Sequence, residues 1–315
     1  MNKSINYLLA IFICLLMIFS GCIKNELKTR EEAIPDDAIK ITPETDQFPP
    51  ILHSDKYYEP TPLDGPINTA GAEDSPFIPC CEEDIFYFFF TPDVRVPVEE
   101  QLTDGATGIY VSKKENGDWS EPERIILQDP RKLSLDGCTF VNDDIMWFCS
   151  ARQGYTGIHW FTAEYTNGEW TNWQNADFDP ELDVGELHFT NDFTELYYHS
   201  SMPGGKGGTD IWYTQMVNGS WQEPVNIESI NSEENEGYPY ITADGAELWF
   251  NKWYQGTPAV YQSIKVDGVW QEPELIISQF AGEPTLDDQG NIYFVHHFYD
   301  NGVMIDADIY IAYRK

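Results

Sequence analysis

ELYYHSSMPGGKGGTDIWYTQMVNGSWQEP, residues 195–224, is the stretch whose reading decides the fold. Leu196, Tyr197, Tyr198 and His199 read as an aromatic strand that runs into a glycine-rich bend at residues 203–208. A second strand follows at Asp210, Ile211, Trp212 and Tyr213, then Asn218-Gly219 and a short strand opening on Trp221. Asn-Gly between alternating apolar runs is the strongest short signal for a hairpin, because both turn residues must take positive φ. Pro224 has no N–H to give a central strand, so the last piece is an edge or a strand end.

The pattern returns in both directions. Trp119, Trp170, Trp221 and Trp270 stand 51, 51 and 49 residues apart. Each follows a turn, Asn116-Gly117, Asn167-Gly168, Asn218-Gly219 and Asp267-Gly268, and three of the four run on as W-x-E-P. A strand of the Ile-aromatic type precedes each turn, at Ile109, Ile158, Ile211 and Val260, and a fifth copy stands at Ile309. Upstream of these lie aromatic-rich strands at residues 85–90, 145–148, 196–198, 248–250 and 292–294. Units of about fifty residues with four short antiparallel strands each predict propeller blades. The expectation is an all-β, five-bladed β-propeller with blades at about 75–127, 136–182, 184–230, 236–278 and 281–315.

The fifth unit stops at Lys315 after its third strand. Residues 66–78 align without gaps on residues 229–241, and Tyr57-Tyr58-Glu59-Pro60 resembles Trp221-Gln222-Glu223-Pro224. The N-terminal arm therefore carries the missing outer strand, and residues 56–68 should close the last blade and leave no open sheet edge.

Leu196 to Ser201 and Gly207-Gly208-Thr209-Asp210-Ile211-Trp212 resemble the WD40-like (PD40) β-propeller repeat of TolB-type proteins, with its L-Y-F-S-S and G-G-x-D-I-W segments. The resemblance implies a rigid, non-catalytic ring that displays loops to a protein or glycan. Five-bladed propellers also carry arabinanase- and xylosidase-like glycoside hydrolases, in which an Asp base, a second Asp and a Glu acid come from successive blades. By blade position the corresponding residues here are Asp74, Asp136 and Glu186, with His296 or His297 near the centre. Fold by itself grants neither function.

Before the ring, one lysine (Lys3) precedes an apolar run over residues 7–19 that ends in Ser20-Gly21-Cys22. So short a run before small residues reads as a secretory signal over residues 1–21. The ending resembles a lipobox, which would make Cys22 the lipidated first residue and anchor the chain to a membrane in the cell envelope, outside the cytoplasm. Residues 22–54 are charged and proline-punctuated, with no apolar period, and are expected to be a flexible acidic tether; residues 55–315 form the ring. The chain has 53 acidic and 18 basic residues, a net charge of −35. Nucleic acids and anionic lipid surfaces both need a basic footprint, so that balance argues against them. A monomer is expected. Cys80, Cys81, Cys138 and Cys149 remain for disulfides, with three connectivities open. Cys138 and Cys149 flank the turn at Asn142-Asp143 and can face each other across adjacent strands.

Each unit has an acidic residue beside a small one at the start of its innermost strand: Glu73-Asp74-Ser75, Asp136-Gly137, Gly185-Glu186, Glu236-Gly237 and Gly282-Glu283. Such residues would ring one mouth of the channel. No cofactor is expected, with a Ca2+ ion among the channel acids as the alternative. The loops between second and third strands should open on the same face and bring Arg152, Tyr254, His296 and His297 to it. Aromatics, histidines and carboxylates in one concavity make a default ligand site. Two readings stand: a surface-anchored binding or scaffold ring, and a carbohydrate-active enzyme using the channel-mouth carboxylates.

Overall fold

The computed structural model describes residues 27–80, 82–130, 132–178 and 184–315. The signal segment, Cys22 and Cys81 lie outside them.

A four-residue helix, α1 (Arg30–Ala33), opens the described chain under a capping box between Thr29 and Glu32. Two short strands follow, β1 (Ile51–Leu52) and β2 (Thr61–Pro62). The first blade is β3 (Ala72–Phe77), β4 (Ile85–Thr91), β5 (Gly108–Glu115) and the outer pieces β6 (Asp118–Trp119) and β7 (Glu123–Arg124). Helix α2 (Val98–Gln101) lies in the loop between β4 and β5. The second blade is β8 (Ser134–Asn142), β9 (Ile145–Arg152), β10 (His159–Thr166) and β11 (Glu169–Asn175). The third is β12 (Val184–Phe189), β13 (Glu195–Ser200), β14 (Asp210–Val217), β15 (Ser220–Trp221) and β16 (Val225–Asn226). The fourth is β17 (Glu236–Ile241), β18 (Glu247–Tyr254), β19 (Thr257–Val266), β20 (Val269–Trp270) and β21 (Glu274–Ser278). The fifth is β22 (Ala281–Leu286), β23 (Ile292–Asp300) and β24 (Val303–Ala312). Every pairing within the blades is antiparallel, and the molecule is a five-bladed β-propeller.

The ring closes as the repeat predicts. β2 pairs with β24 through Thr61↔Ile311 and Pro62↔Tyr310, and Tyr57 bridges Arg314. The Asn68 side chain clamps the same strand, donating to the Ile309 carbonyl at 2.9 Å and accepting from its N–H at 2.9 Å. Asn231, at the aligned position, clamps Ile211 in the third blade at 2.8 Å both ways. The four repeat turns, Asn116-Gly117, Asn167-Gly168, Asn218-Gly219 and Asp267-Gly268, have positive φ at both central residues, as a type I′ hairpin demands. Aromatic second strands fill the space between blades: Phe86, Phe88, Tyr197, Trp249, Phe250 and Phe294 are fully buried. Each such ring removed from water contributes about 1.5–3 kcal/mol.

Residues 27–54 differ from the expected tether. The Arg30 side chain is 2% exposed. It donates to the carbonyls of Ile67 at 2.7 Å and Pro66 at 2.6 Å, and pairs with Glu73 at 3.4 Å. Further along, Lys40 pairs with Asp308, and Asp46 with His296 at 2.9 Å. β1 then adds to β21 as a further strand of the fourth blade. The segment is a strap across the ring, held by isolated polar anchors, and isolated anchors leave no periodic signal in a sequence.

Candidate functional site

First strands begin at the end where second strands finish, so the acids at their starts share one mouth, here called upper. The turns between first and second strands surround the other, lower mouth. Every first strand carries a register break between those ends, and it decides which acids reach the axis. The breaks fall between Asp74 and Phe77, Gly137 and Phe140, Val184 and Leu187, Gly237 and Tyr240, and Gly282 and Thr285. An extra residue in a strand re-aims the side chains around it.

Registered on their second-strand partners, with the break of the third blade falling one position earlier, the first strands sort the expected acids into two sets. Glu73, Asp136 and Glu236 occupy one position, just above the bulge, and each is buried. Glu73 accepts from the N–H of Thr69 at 2.9 Å, and Glu236 from that of Ser232 at 2.9 Å. Each of the three also has a cation: Arg30 for Glu73, Arg152 for Asp136 and Lys252 for Glu236. Glu73 and Glu236 hold the preceding loop, whereas Asp136 accepts at Oδ1 from Ser150 and Arg152. Asp136 and Glu236 are thus engaged with neighbouring chain and do not reach the axial cluster.

Ser75, Cys138, Glu186, Tyr238 and Glu283 are the equivalent bulge residues of the five blades, and they meet on the axis. Ser75 donates from Oγ to Glu186 Oε1 at 3.1 Å and to Glu283 Oε2 at 3.0 Å, and from its N–H to Glu283 Oε2 at 2.8 Å. The two carboxyl groups are thus joined through one hydroxyl. Burial pushes the Glu186 carboxyl well above the usual range, with Cys138 and Glu283 adding to it. Asp74 is raised in the same way, by burial and by the charge of Glu283, and burial also raises Glu283. These groups resist ionising together, as like charges in a dry site do. Among the described residues no group of three or more His, Cys, Asp or Glu is placed to hold a metal ion.

The remaining candidates contact neighbouring chain. Arg152 is buried, with its guanidinium 4.4 Å from the Trp173 ring centre and 2.9 Å from Asp136. His296 is buried against the strap residue Asp46. His297 is directed at the Phe280 carbonyl at 3.2 Å, and burial lowers it to about 4. Tyr254 lies edge-on to His53, just beyond β1. Cys138 and Cys149 do come together, as thiols with a side-chain hydrogen bond between them and no disulfide. His199, read from the sequence only as part of an aromatic strand, fills the gap between Gly185 and Gly237 and accepts from the Tyr238 N–H at 3.0 Å. A Cβ on Gly185 would fall 1.7 Å from its ring, so only glycine fits there.

The space at the axis is small. The constriction lined by Ser75, Cys138, Glu186, Tyr238 and Glu283 encloses about 30 Å3, roughly the share of one water molecule. Below it the channel widens into a funnel of about 520 Å3 at the lower mouth.

No protein-family profile and no curated protein matches the chain by sequence. Solved propellers do resemble it in structure. The endo-arabinase of Bacteroides thetaiotaomicron superposes over 79% of this chain and 97% of its own, at 14% identity and a TM-score of 0.50. The GH62 α-L-arabinofuranosidase catalytic domain of Coprinopsis cinerea covers 81% and 95%, at 10% identity and a TM-score of 0.50. TolB of Acinetobacter baumannii covers 78% of this chain at 12% identity and a TM-score of 0.45, and the match spans 55% of the TolB chain. The likeness is one of fold.

Proposed function

We propose that the chain is a non-catalytic binding ring, exported and held to a membrane by a lipid on Cys22, that takes a protein or glycan ligand at a mouth of its channel. The observation that carries this reading is the state of the axial carboxyls. Glu186 and Glu283 share the hydroxyl of Ser75 inside about 30 Å3, whereas ligand pockets run to about 300–1,000 Å3. A glycosidase needs an acid and a base facing an open sugar site, about 5–10 Å apart, with room for the ring between them. The Asp of the second blade, which that chemistry would call on, is neutralised by Arg152.

The hydrolase reading keeps one observation in its favour: Glu186 is an axial carboxyl raised by burial, as a general acid must be. Incubating the mature protein with arabinan, xylan and galactan oligosaccharides separates the two. A binding ring retains oligosaccharides or a protein partner without cleaving them; turnover that Glu186→Gln abolishes would overturn it. For the anchor, Cys22→Ser should move the protein from the membrane fraction to the soluble one.

A further inference from the structure

The lower funnel is built by all five blades, from Phe77 and Ile78, Phe140 and Val141, His188 and Phe189, Tyr240 and Ile241, and Leu286. Its neck is a ring of side chains at one register position: Phe77, Phe140, His188, Tyr240 and Thr285. The His188 ring sits 4.5 Å from that of Tyr240 and 4.8 Å from that of Phe140, centre to centre. His188 Nδ1 lies 3.0 Å from the Phe189 carbonyl, which places the proton on Nδ1 and leaves Nε2 a bare acceptor. Burial lowers His188 to about 3, so the ring is neutral.

Two polar atoms of this neck have no hydrogen-bond partner although both are buried: His188 Nε2 and Thr285 Oγ1. Thr285 is 1% exposed. A buried polar group left unmatched costs about 1–3 kcal/mol, and such groups ordinarily have a partner. One atom accepts, and the other can donate. A single hydroxyl offers both roles, and His188 and Thr285 both border the constriction of about 30 Å3. Around the opening stand Asp244, Glu247, Asp287 and Asp288 against Arg314, a rim that repels anions.

We propose that the lower funnel binds an uncharged ring-shaped molecule, its apolar face on the Phe77, Phe140 and Tyr240 side chains and one hydroxyl in the neck between His188 and Thr285. This assignment rests on the binding-ring reading and gives that ring its mouth. Aryl alcohols and pyranose sugars share the chemistry, so the test uses both.

The mature protein, labelled with 15N at histidine, is titrated with 4-methylphenol, methyl β-glucopyranoside, toluene and benzoate. The long-range spectrum of the His188 ring is followed throughout. A hydroxyl-bearing probe should shift Nε2 saturably, while toluene binds about tenfold or more weakly and benzoate does not bind. His188→Phe and Thr285→Val should each reduce the hydroxyl probe to the affinity of toluene. Ala243→Trp, on the exposed rim and away from the core, should block every probe while leaving the melting temperature unchanged. Whichever of the phenol and the glucoside binds more tightly identifies the source of the ring. Equal binding of toluene and 4-methylphenol would overturn the role of the neck. If no probe moves His188, the neck holds water alone and the assignment fails; turnover of an oligosaccharide would instead overturn the binding reading and leave the funnel untouched.

Discussion

Arg152→Met separates a structural arginine from a ligand-binding one. In the folded protein the Arg152 side chain is 0% exposed and Asp136 9%. The guanidinium donates to Asp136 Oδ1 from Nε at 3.1 Å and from Nη2 at 2.9 Å, and to the Leu127 carbonyl at 3.4 Å. It also lies over Phe148, Phe161 and Trp173, 4.9, 5.0 and 4.4 Å from their centres. Methionine keeps most of the apolar stem and removes the charge. Asp136 is then a buried carboxylate with Ser150 as its remaining side-chain donor. Breaking a buried pair from one side costs about 3–5 kcal/mol, and the lost contact with the rings adds about 1 kcal/mol. At about 2–4 °C per kcal/mol for a domain of this size, the melting temperature should fall by on the order of 10 °C. The double variant Arg152→Met, Asp136→Leu has no unpaired charge and should recover most of that loss. Calorimetric or circular-dichroism melts of the three proteins measure it. If Arg152→Met melts within about 1 kcal/mol of the parent and loses ligand binding instead, Arg152 belongs to a site and its assignment to the scaffold is wrong.

Other outcomes follow from the same geometry. Deleting residues 56–68 removes β2, Tyr57, Leu63 and Ile67 from the fifth blade; a single cooperative loss of the whole ring is expected, and a truncated protein that melts like the parent would refute closure by strand exchange. Burial and the charge of Asp308 push Asp306 up to about 8, and burial pushes Asp308 up to about 6, against an ordinary 3.8, with Lys40 as the opposing charge. The folded chain therefore keeps protons that the unfolded chain releases, and the stabilisation they give is fully present below about pH 4 and is lost as pH rises from there to about 8. Melts should show greater stability at about pH 5.5 than at about pH 8.5, and Asp306→Asn should flatten that slope; an unchanged slope would refute the assignment. Gly282→Ala places a Cβ 2.5 Å from Asn251 Nδ2 and should break the hydrogen bond that Asn251 accepts from the Glu283 N–H, lowering stability by about 1–3 kcal/mol; a neutral result would mean that the fourth and fifth blades are less tightly seated than their contacts indicate.

The repeat was legible because it is written in residues with narrow conformational reasons. Asn-Gly and Asp-Gly pairs supply positive φ at both turn residues, and aromatic alternation marks the strands between blades. The closing strand was legible for the same reason, since Asn68 and Thr69 stand before the first blade where Asn231 and Ser232 stand before the fourth, three repeats away. The candidate site was read less well. An acidic residue beside a small one was visible in every unit, but a bulge turns adjacent positions to different places. Nothing in the string tells that Glu186 reaches the axis while Glu236 caps a loop. His188 and Thr285 gave only a faint signal, as polar residues where the first two blades have Phe77 and Phe140. The strap over residues 27–54 gave none, because Arg30, Lys40 and Asp46 act singly.

A repeat protein separates scaffold from function by what repeats. The cap of Glu73 on Thr69 recurs as Glu236 on Ser232, and the clamp of Asn68 on Ile309 recurs as Asn231 on Ile211. These interactions have a mechanical task that is the same in each blade, so the same chemistry answers it. At the bulge the five blades offer Ser75, Cys138, Glu186, Tyr238 and Glu283, and at the neck Phe77, Phe140, His188, Tyr240 and Thr285. A blade needs no particular residue at either position to fold, as the variety shows. Both sets face the axis, where the pseudo-symmetry of the ring has to give way to the asymmetry of any real ligand. At the upper mouth the acids are engaged with loop caps, the strap and one another, although His296 Nδ1 and Asp306 Oδ2 are unmatched there; at the lower neck two unmatched atoms, His188 Nε2 and Thr285 Oγ1, stand at the head of a funnel of about 520 Å3 lined by all five blades. Recognition is therefore assigned to the end of the channel where repetition stops and unmatched polar atoms adjoin open space.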